Sequence, residues 1–132
     1  MKIASTKTRK SDREVQLEQA MSYEMPYADR SFDRVLTSLT LHHLSGENLR
    51  RTLAEIRRVL VPGGELHIAD FPGGHHQSGH LVSHFRPGSG RPEHKVASSL
   101  EMLMVEAGFS SVKTHGAIST LLGKIGYFSG VN

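Results

Sequence analysis

The sequence predicts an α/β fold, because a strand, a helix and a second strand follow one another with short links. The first strand is the nearly continuous apolar run from Phe32 to Leu41, which is typical of a strand covered on both faces. The second strand is Glu65 to Asp70, directly after a pair of glycines. Between them, apolar residues recur on one helical face at Leu49, Leu53, Ile56 and Leu60. Such a unit predicts parallel strands with a right-handed crossover.

The ends of this helix are marked by residues that favour helix termini. Ser45 is suited to cap the first turn, and Glu47 places a negative charge there. Arg57 and Arg58 place positive charge in the last turn. We expect the run Pro62-Gly63-Gly64 to stop the helix.

Two further segments flank the unit. Val15 to Gln19 alternates apolar and polar residues, which predicts a short strand, and a turn-prone run from Met25 to Ser31 follows. On the other side, Phe71 to Pro92 is rich in Gly, Pro, Ser and His and is predicted to be a long surface loop. The sheet is therefore expected to begin near residue 15.

The C-terminal part is predicted to contain a helix and a hairpin. Ser98 and Glu101 form a capping-box pattern, and Gly108 follows the apolar face of that helix. Ser110 to His115 and Ile125 to Val131 have the pattern of two strands. A closing hairpin is their simplest arrangement.

Composition limits the class of protein. The 132 residues suffice for one domain, residues 15–132, after a flexible basic lead-in of residues 1–14. No apolar run approaches the roughly 18 residues that span a bilayer, and there is no cysteine. We therefore expect a cytoplasmic protein with no membrane contact. The net charge of +3 comes from scattered basic residues, which argues against a specific nucleic-acid surface.

Several short motifs occur together in an order that is specific as a set. They are Met25-Pro26-Tyr27, Ser31-Phe32-Asp33-Arg34-Val35, Leu41-His42-His43-Leu44, the run from Leu53 to Gly64, and Ala107-Gly108-Phe109. With these motifs the chain resembles the C-terminal portion of a class I S-adenosylmethionine-dependent methyltransferase. The broad group, methyltransferase type 11, includes the ubiquinone and menaquinone biosynthesis methyltransferases.

The resemblance implies a truncated Rossmann-like doubly wound sheet, mostly parallel, with an antiparallel C-terminal hairpin. It assigns Val15 to Gln19, Phe32 to Leu39 and Glu65 to Asp70 to the third, fourth and fifth strands of that family. The first strand with its Gly-rich loop and the second strand with its ribose-binding carboxylate are not found, since no G-x-G precedes Gly46. The domain is thus expected to be a partial one.

Two consequences are expected from this gap. About three charge-assisted contacts, each worth roughly 1.5 to 3 kcal/mol, would be lost, so S-adenosylmethionine should bind weakly or only with a partner. The fourth strand would also have an unpaired edge. We expect the third strand to collapse onto that edge, or two chains to pair there as a homodimer.

The resemblance also implies where the cofactor would lie. It places the adenine against Met21 and Ser22, and the amino acid end near Ser38 and Leu39. Met21 stands where many relatives have an acidic residue, which removes an acceptor for the adenine amino group. These four residues are the predicted cofactor-binding set.

His42 and His43 are the candidate catalytic residues, because imidazole titrates near neutrality and they follow the fourth strand. A base is needed only when the methyl acceptor carries a proton. The alternative is that one or both histidines brace the loop into the next helix. Asp33 is expected to be a structural turn residue, whereas Asp70 is equally suited to ordering the loop or to function.

A run of histidines in the predicted surface loop invites a metal site: His75, His76, His80, His84 and His94. The surrounding Gly and Pro residues and the lack of cysteine disfavour a preorganised site, so no metal is predicted. A lid over the acceptor is the alternative role for this segment.

Two functions are consistent with these observations. One is methyl transfer from S-adenosylmethionine to a small-molecule acceptor, impaired because the first two strands are absent. The other is a non-catalytic methyltransferase remnant that acts as a binding or assembly module through its exposed sheet edge.

Overall fold

The computed structural model describes residues 15–71, 99–121 and 123–132. Four strands and two α-helices lie within these residues. They are β1 (Phe32–Ser38), α1 (Gly46–Val59), β2 (Leu60–Asp70), α2 (Ser99–Glu106), β3 (Ser110–Thr120) and β4 (Gly123–Val131). A single 3₁₀ turn, Leu41–His43, joins β1 to α1. The basic lead-in, and the predicted surface loop apart from Phe71, lie outside the described residues.

The four strands form one mixed sheet in the order β1-β2-β4-β3. β1 and β2 are parallel and are connected through α1, as the sequence predicts. β4 lies antiparallel to both β2 and β3, so β3 and β4 form the expected hairpin. β2 is therefore a central strand. The carboxyl ends of β1 and β2 lie at the same edge of the sheet.

The start of α1 was predicted correctly and its end was not. The Ser45 hydroxyl accepts a hydrogen bond from the Asn48 amide at 3.3 Å, which confirms the cap. The helix ends at Val59, before the proline and glycines, and β2 begins at Leu60. Amides of the segment before β1 bind the last carbonyls: Arg30 donates to Arg58 at 2.9 Å and Ser31 donates to Val59 at 2.8 Å. Because those carbonyls are satisfied, no glycine stop is needed.

The predicted strand from Val15 to Gln19 is wrong. Residues 15–20 are exposed and have no regular secondary structure, and an isolated bridge joins Met21 to Glu24. A strand must pair its amides with a neighbour, and within the described residues β1 pairs only with β2. The expected collapse of this segment onto β1 is therefore wrong as well.

The hydrophobic core lies between the sheet and the two helices. Its members are Leu41, Leu49, Leu53, Ile56, Leu60, Leu66, Ile68, Leu100, Met104, Phe109 and Phe128. β1 contributes only partly buried residues to it, and Leu36 of β1 is 76% exposed. The expectation that β1 is covered on both faces is wrong for the described part of the chain.

A long-range clasp joins the end of α1 to Asn132. The Asn132 side-chain amide donates to the carbonyls of Arg57 (3.2 Å), Leu60 (3.0 Å) and Val61 (3.3 Å), and its Oδ1 accepts from Arg57 Nε. Arg57 also donates to the carbonyl of Ala107 at 3.2 Å. The helix end is thus capped by a residue 75 positions later in the chain.

Candidate functional site

The carboxyl ends of β1 and β2 lie side by side, because the strands are parallel and Ser38 pairs with Ala69. Ligands of doubly wound sheets bind beyond such ends. Leu39 leaves β1 with φ 49°, and its amide donates to the Ala69 carbonyl at 2.9 Å. A left-handed backbone is costly for a residue with a branched side chain, and such strain clusters at functional sites. The β1 end is thus a strained turn.

Asp70, the last residue of β2, organises this turn. Its side chain is 1% exposed. Its Oδ2 accepts hydrogen bonds from the amides of Thr40 at 3.1 Å and Leu41 at 2.8 Å. Its Oδ1 accepts from the amide of Phe71 at 2.8 Å. Because a buried carboxylate needs such donors, Asp70 and the turn after β1 stabilise each other.

His42 is the fourth partner of the Asp70 carboxylate. Its Nδ1 lies 2.7 Å from Asp70 Oδ1. Since an ionised carboxylate only accepts, the geometry assigns the hydrogen to Nδ1 and leaves Nε2 as an acceptor in the neutral ring. Within the described part of the chain Nε2 makes no hydrogen bond, and the side chain is 23% exposed. His42 therefore has the orientation of a general base whose Nδ1 is hydrogen-bonded to a carboxylate.

Two other rings contact His42. The His43 ring centroid lies 3.9 Å away at 40°, and the Phe71 ring meets it edge-on at 4.9 Å and 89°. His43 is exposed and has no carboxylate partner among the residues that the structure describes. The structure thus brings both predicted histidines to the strand ends and distinguishes between them. The hydrogen bond between His42 and Asp70 would hold the loop in place in a purely structural role, and it would equally orient a catalytic base. The catalytic role of His42 therefore stays a prediction.

The predicted cofactor-binding residues fall in two places. Ser38 and Leu39 lie at the β1 end beside the His42–Asp70 pair. Ser22 instead lies beside the middle of α1, where its hydroxyl is 2.9 Å from that of buried Thr52. Met21 is 61% exposed. The binding roles of all four residues stay predictions.

Sequence reasoning left the role of Asp70 open and gave none to Phe71. The only sequence signal for either residue is its position at the end of the second strand of the unit. Asp33, expected to be structural, is exposed near the other end of β1, away from the His42–Asp70 pair. For these residues, the position at the carboxyl end of a strand therefore indicates membership of the candidate site better than the type of side chain does.

A second polar cluster lies on the sheet before the strand ends. His67 Nδ1 is 2.6 Å from the Tyr127 hydroxyl, and its Nε2 is 3.1 Å from Glu65. The hydrogen bond from His67, with the charge of Arg34 at 3.2 Å, lowers the pKa of Glu65. These residues tie β1, β2 and β4 together across the sheet.

No group of three His, Cys, Asp or Glu residues in the described ranges could hold a metal ion. The histidine run from His75 to His94 lies outside the described residues. Neither described helix is long and apolar enough to cross a membrane.

Curated methyltransferases share short stretches of sequence with this chain. It is 42% identical over 48 residues to the ubiquinone/menaquinone biosynthesis C-methyltransferase UbiE of Bordetella avium, covering 36% of this chain and 18% of that protein. It is 40% identical over 60 residues to the 27-O-demethylrifamycin SV methyltransferase of Amycolatopsis mediterranei, covering 46% and 21% respectively. The matched stretch spans about a fifth of the length of these relatives.

Solved structures match the fold of almost the whole chain. A SAM-dependent methyltransferase from Methanosarcina mazei has a TM-score of 0.70 at 19% identity, covering 99% of this chain and 76% of that one. The YcgJ protein of Bacillus subtilis has a TM-score of 0.69 at 13% identity, covering 99% and 77%. At such identities the likeness shows the fold alone, and it confirms the predicted α/β class.

A family model described as a methyltransferase domain matches residues 1–68, just over half of the 132 residues. The matched range includes β1, the turn at Leu39, His42 and all of α1. The chain therefore belongs to the methyltransferase domain family, as its motifs predict.

Proposed function

We propose that this chain carries the acceptor side of an S-adenosylmethionine-dependent methyltransferase, with His42 as general base toward a small-molecule acceptor. The observation that carries the proposal is the 2.7 Å pairing of His42 Nδ1 with buried Asp70 at the β1 and β2 carboxyl ends. This is the edge of an α/β sheet at which ligands bind.

The chemistry requires little covalent participation from the protein. S-adenosylmethionine, when bound, supplies a methyl group on a positively charged sulfur, and the electron pair of the broken C–S bond stays on sulfur. His42 Nε2 takes the proton from the acceptor hydroxyl as the new O–C bond forms. Asp70 keeps the ring oriented and stabilises the imidazolium that results.

The residues present fit one part of the cofactor. Ser38 and Leu39 are exposed at the β1 end, and the left-handed turn at Leu39 leads the chain away from the sheet there. We assign these two residues to the amino acid end of the cofactor. Met21 and Ser22 are assigned to the adenine, which would require the Ser22 hydroxyl to share its contact with Thr52.

We expect the chain alone to bind the cofactor weakly. Its sequence has no G-x-G before Gly46, so it offers no glycine-rich turn there for close approach of backbone amides. Three missing charge-assisted contacts would weaken binding by on the order of a thousandfold or more. Full affinity would then depend on those contacts being supplied from outside residues 1–132.

Titration with S-adenosylhomocysteine tests the cofactor site. The amide NMR signals of Ser38 and Leu39 should shift, with half-saturation in the millimolar range. The amide of Arg58, in the last turn of α1 before the amino end of β2, serves as an internal control and should not move. If neither the Ser38 nor the Leu39 signal shifts at several millimolar ligand, the assignment to the β1 end is wrong.

Methyl transfer to a panel of phenols, at saturating cofactor, tests the base. His42→Gln should lower the rate by roughly a hundredfold, because it removes the proton acceptor. His43→Gln is the matched control, since His43 lacks a carboxylate partner in the described residues, and it should stay within about threefold. Equal losses in the two variants would contradict the role of His42.

A second candidate function is assembly through β1. Within the described residues the outer edge of β1 has no neighbour, and Leu36 is 76% exposed there. Such an edge is a template for pairing with another strand. The β1 sequence carries one acidic and one basic residue, Asp33 and Arg34, so its edge has no net charge that would oppose the pairing of two copies. A second copy of this chain is therefore the proposed occupant.

A further inference from the structure

The β3–β4 hairpin extends beyond the carboxyl end of β2. Asp70, the last residue of β2, pairs with Gly126, while β4 begins three residues earlier at Gly123 and β3 continues to Thr120. At about 3.4 Å per residue, the hairpin projects roughly 10 Å past the edge on which His42 lies. It therefore flanks the candidate site.

Phe71 connects the hairpin to His42. Its ring meets the His42 ring edge-on, with centroids 4.9 Å apart. The same ring lies against Gly123, where an added Cβ would come within 3.3 Å of Phe71 Cε1. Gly123 also has φ 126°, a conformation that favours glycine. The hairpin end and the histidine ring thus share one aromatic contact.

Two apolar side chains continue from Phe71 across the hairpin. Phe71 follows Asp70, which pairs with Gly126, and its ring lies against Gly123; Ile125 lies between these two glycines and pairs with Ile118. Ile118 is 73% exposed although it is a large apolar residue. We call these three residues the hairpin row. A single exposed apolar residue is common, but here the exposed Ile118 pairs with a partly buried isoleucine next to an aromatic ring that contacts a carboxylate-paired histidine, and together they form a surface suited to a ligand.

We propose that the hairpin row is the acceptor subsite and binds the apolar body of a small molecule that presents a hydroxyl group to His42. The inference rests on the proposed function and adds the substrate class. An apolar body would cover Ile118 and Ile125 and leave the polar hydroxyl at the ring nitrogen. Phe71 is a specificity-determining residue in this arrangement, because it contacts both the histidine and the hairpin.

Fluorescence titration with 2-naphthol tests the subsite in the full chain. The sequence contains no tryptophan, so the naphthol signal is measured without indole background. Ile118→Ser should weaken binding roughly fivefold, because part of an apolar contact is lost. Val105→Ser is the matched control: Val105 is an exposed apolar residue of α2, at 60% exposure, and its change should leave the Kd within about twofold.

The outcomes separate this inference from the proposed function. The inference is overturned if wild-type protein fails to bind 2-naphthol up to its solubility, or if the Ile118 and Val105 variants bind with the same Kd. Shifts of the Ile118 methyl NMR signals with unmoved Val105 signals would support it. S-adenosylhomocysteine binding, measured on the same samples, reports on the cofactor site alone, so its loss would count only against the proposed function.

Discussion

At the scale of single residues, the buried carboxylate of Asp70 accepts hydrogen bonds from three backbone amides and one imidazole. Asp70→Asn keeps the shape but replaces one acceptor oxygen with a donor, so some of these groups lose their partner. We expect a loss of about 2 to 4 kcal/mol in the free energy of unfolding, measured in urea.

Asp33→Asn provides the comparison for this change. Asp33 is an exposed carboxylate of β1, at the other end of the strand. Its substitution should alter the unfolding free energy by no more than about 0.5 kcal/mol. Similar effects of the two substitutions would show that the Asp70 hydrogen bonds contribute little.

Residue type and position sufficed to predict where His42 lies, whereas its catalytic role stays a prediction. Sequence reasoning selected His42 from the motif after the strand, and the structure gives it a carboxylate partner. It did not foresee the left-handed backbone at Leu39, because an apolar residue at a strand end carries no signal of its φ angle. It also left Asp70 undecided, since hydrogen bonds across 28 to 30 positions have no sequence pattern.

At the scale of elements, an ionic clasp fixes the segment before β1 against α1. Glu55 Oε2 accepts from the Met25 amide at 2.9 Å, and Arg58 binds Glu55 at 2.7 Å. Arg58 also donates to the Tyr27 carbonyl and the Asp29 carboxylate, each at 2.8 Å. The Arg58 hydrogen bonds, followed by that from Met25, lower the pKa of Glu55 to about 2 from its ordinary 4.5.

This clasp predicts an acid-sensitive contribution to stability. The folded pKa of Glu55 lies below its unfolded value, so its contribution is complete above about pH 4.5 and is lost as the pH falls toward about 2. We expect about 1 to 2 kcal/mol over that interval, because solvent screens part of the interaction. Urea unfolding at several pH values measures it.

Glu55→Gln should remove this part of the pH dependence. Glu24→Gln is the control, since Glu24 is an exposed carboxylate of the same neighbouring segment. It should leave the dependence between pH 4.5 and 2 almost unchanged. If both variants follow the wild-type curve, the clasp does not stabilise the fold.

Element boundaries were predictable only where a local cap marks them. The Ser45 hydroxyl caps the first turn of α1, so the start of this helix can be predicted from the residue type at that position. The end of α1 depends on amides of Arg30 and Ser31, which lie in another part of the chain. The false strand at Val15 to Gln19 has the required alternation but no partner edge in the described residues. Alternating periodicity indicates that a segment can form a strand, and the presence of a neighbouring strand to pair with determines whether it does.

At the scale of the whole molecule, the edge of β1 that has no neighbour among the described strands predicts self-association. Light scattering should show a dimer whose population rises with protein concentration. Leu36→Lys should weaken association at least tenfold, because charged residues on an edge oppose strand pairing. Val105→Lys, at an exposed position of α2, is the control and should associate like the wild type. A monomer at millimolar concentration would exclude the assembly proposal.

The fold class was predictable because it depends on the order of β1, α1 and β2 along the chain. The local spacing of apolar residues in each segment indicates that order. The pattern of the C-terminal strands and the motif resemblance both predicted the antiparallel hairpin, and the structure places it beside β2. The exposure of β1 was not predictable from its composition. An apolar composition favours burial, but within the described residues β1 lies at an edge of the sheet and Leu36 is exposed.

The Asn132 clasp has a consequence for biosynthesis. The carbonyls of Arg57 and Leu60 receive their side-chain donor from a residue made up to 75 codons later. At a translation rate of about 5 to 20 residues per second, that interval lasts on the order of 4 to 15 seconds. During this time the carbonyls of Arg57 and Leu60 lack this side-chain donor, so the capping of the helix is completed only after Asn132 has been synthesised.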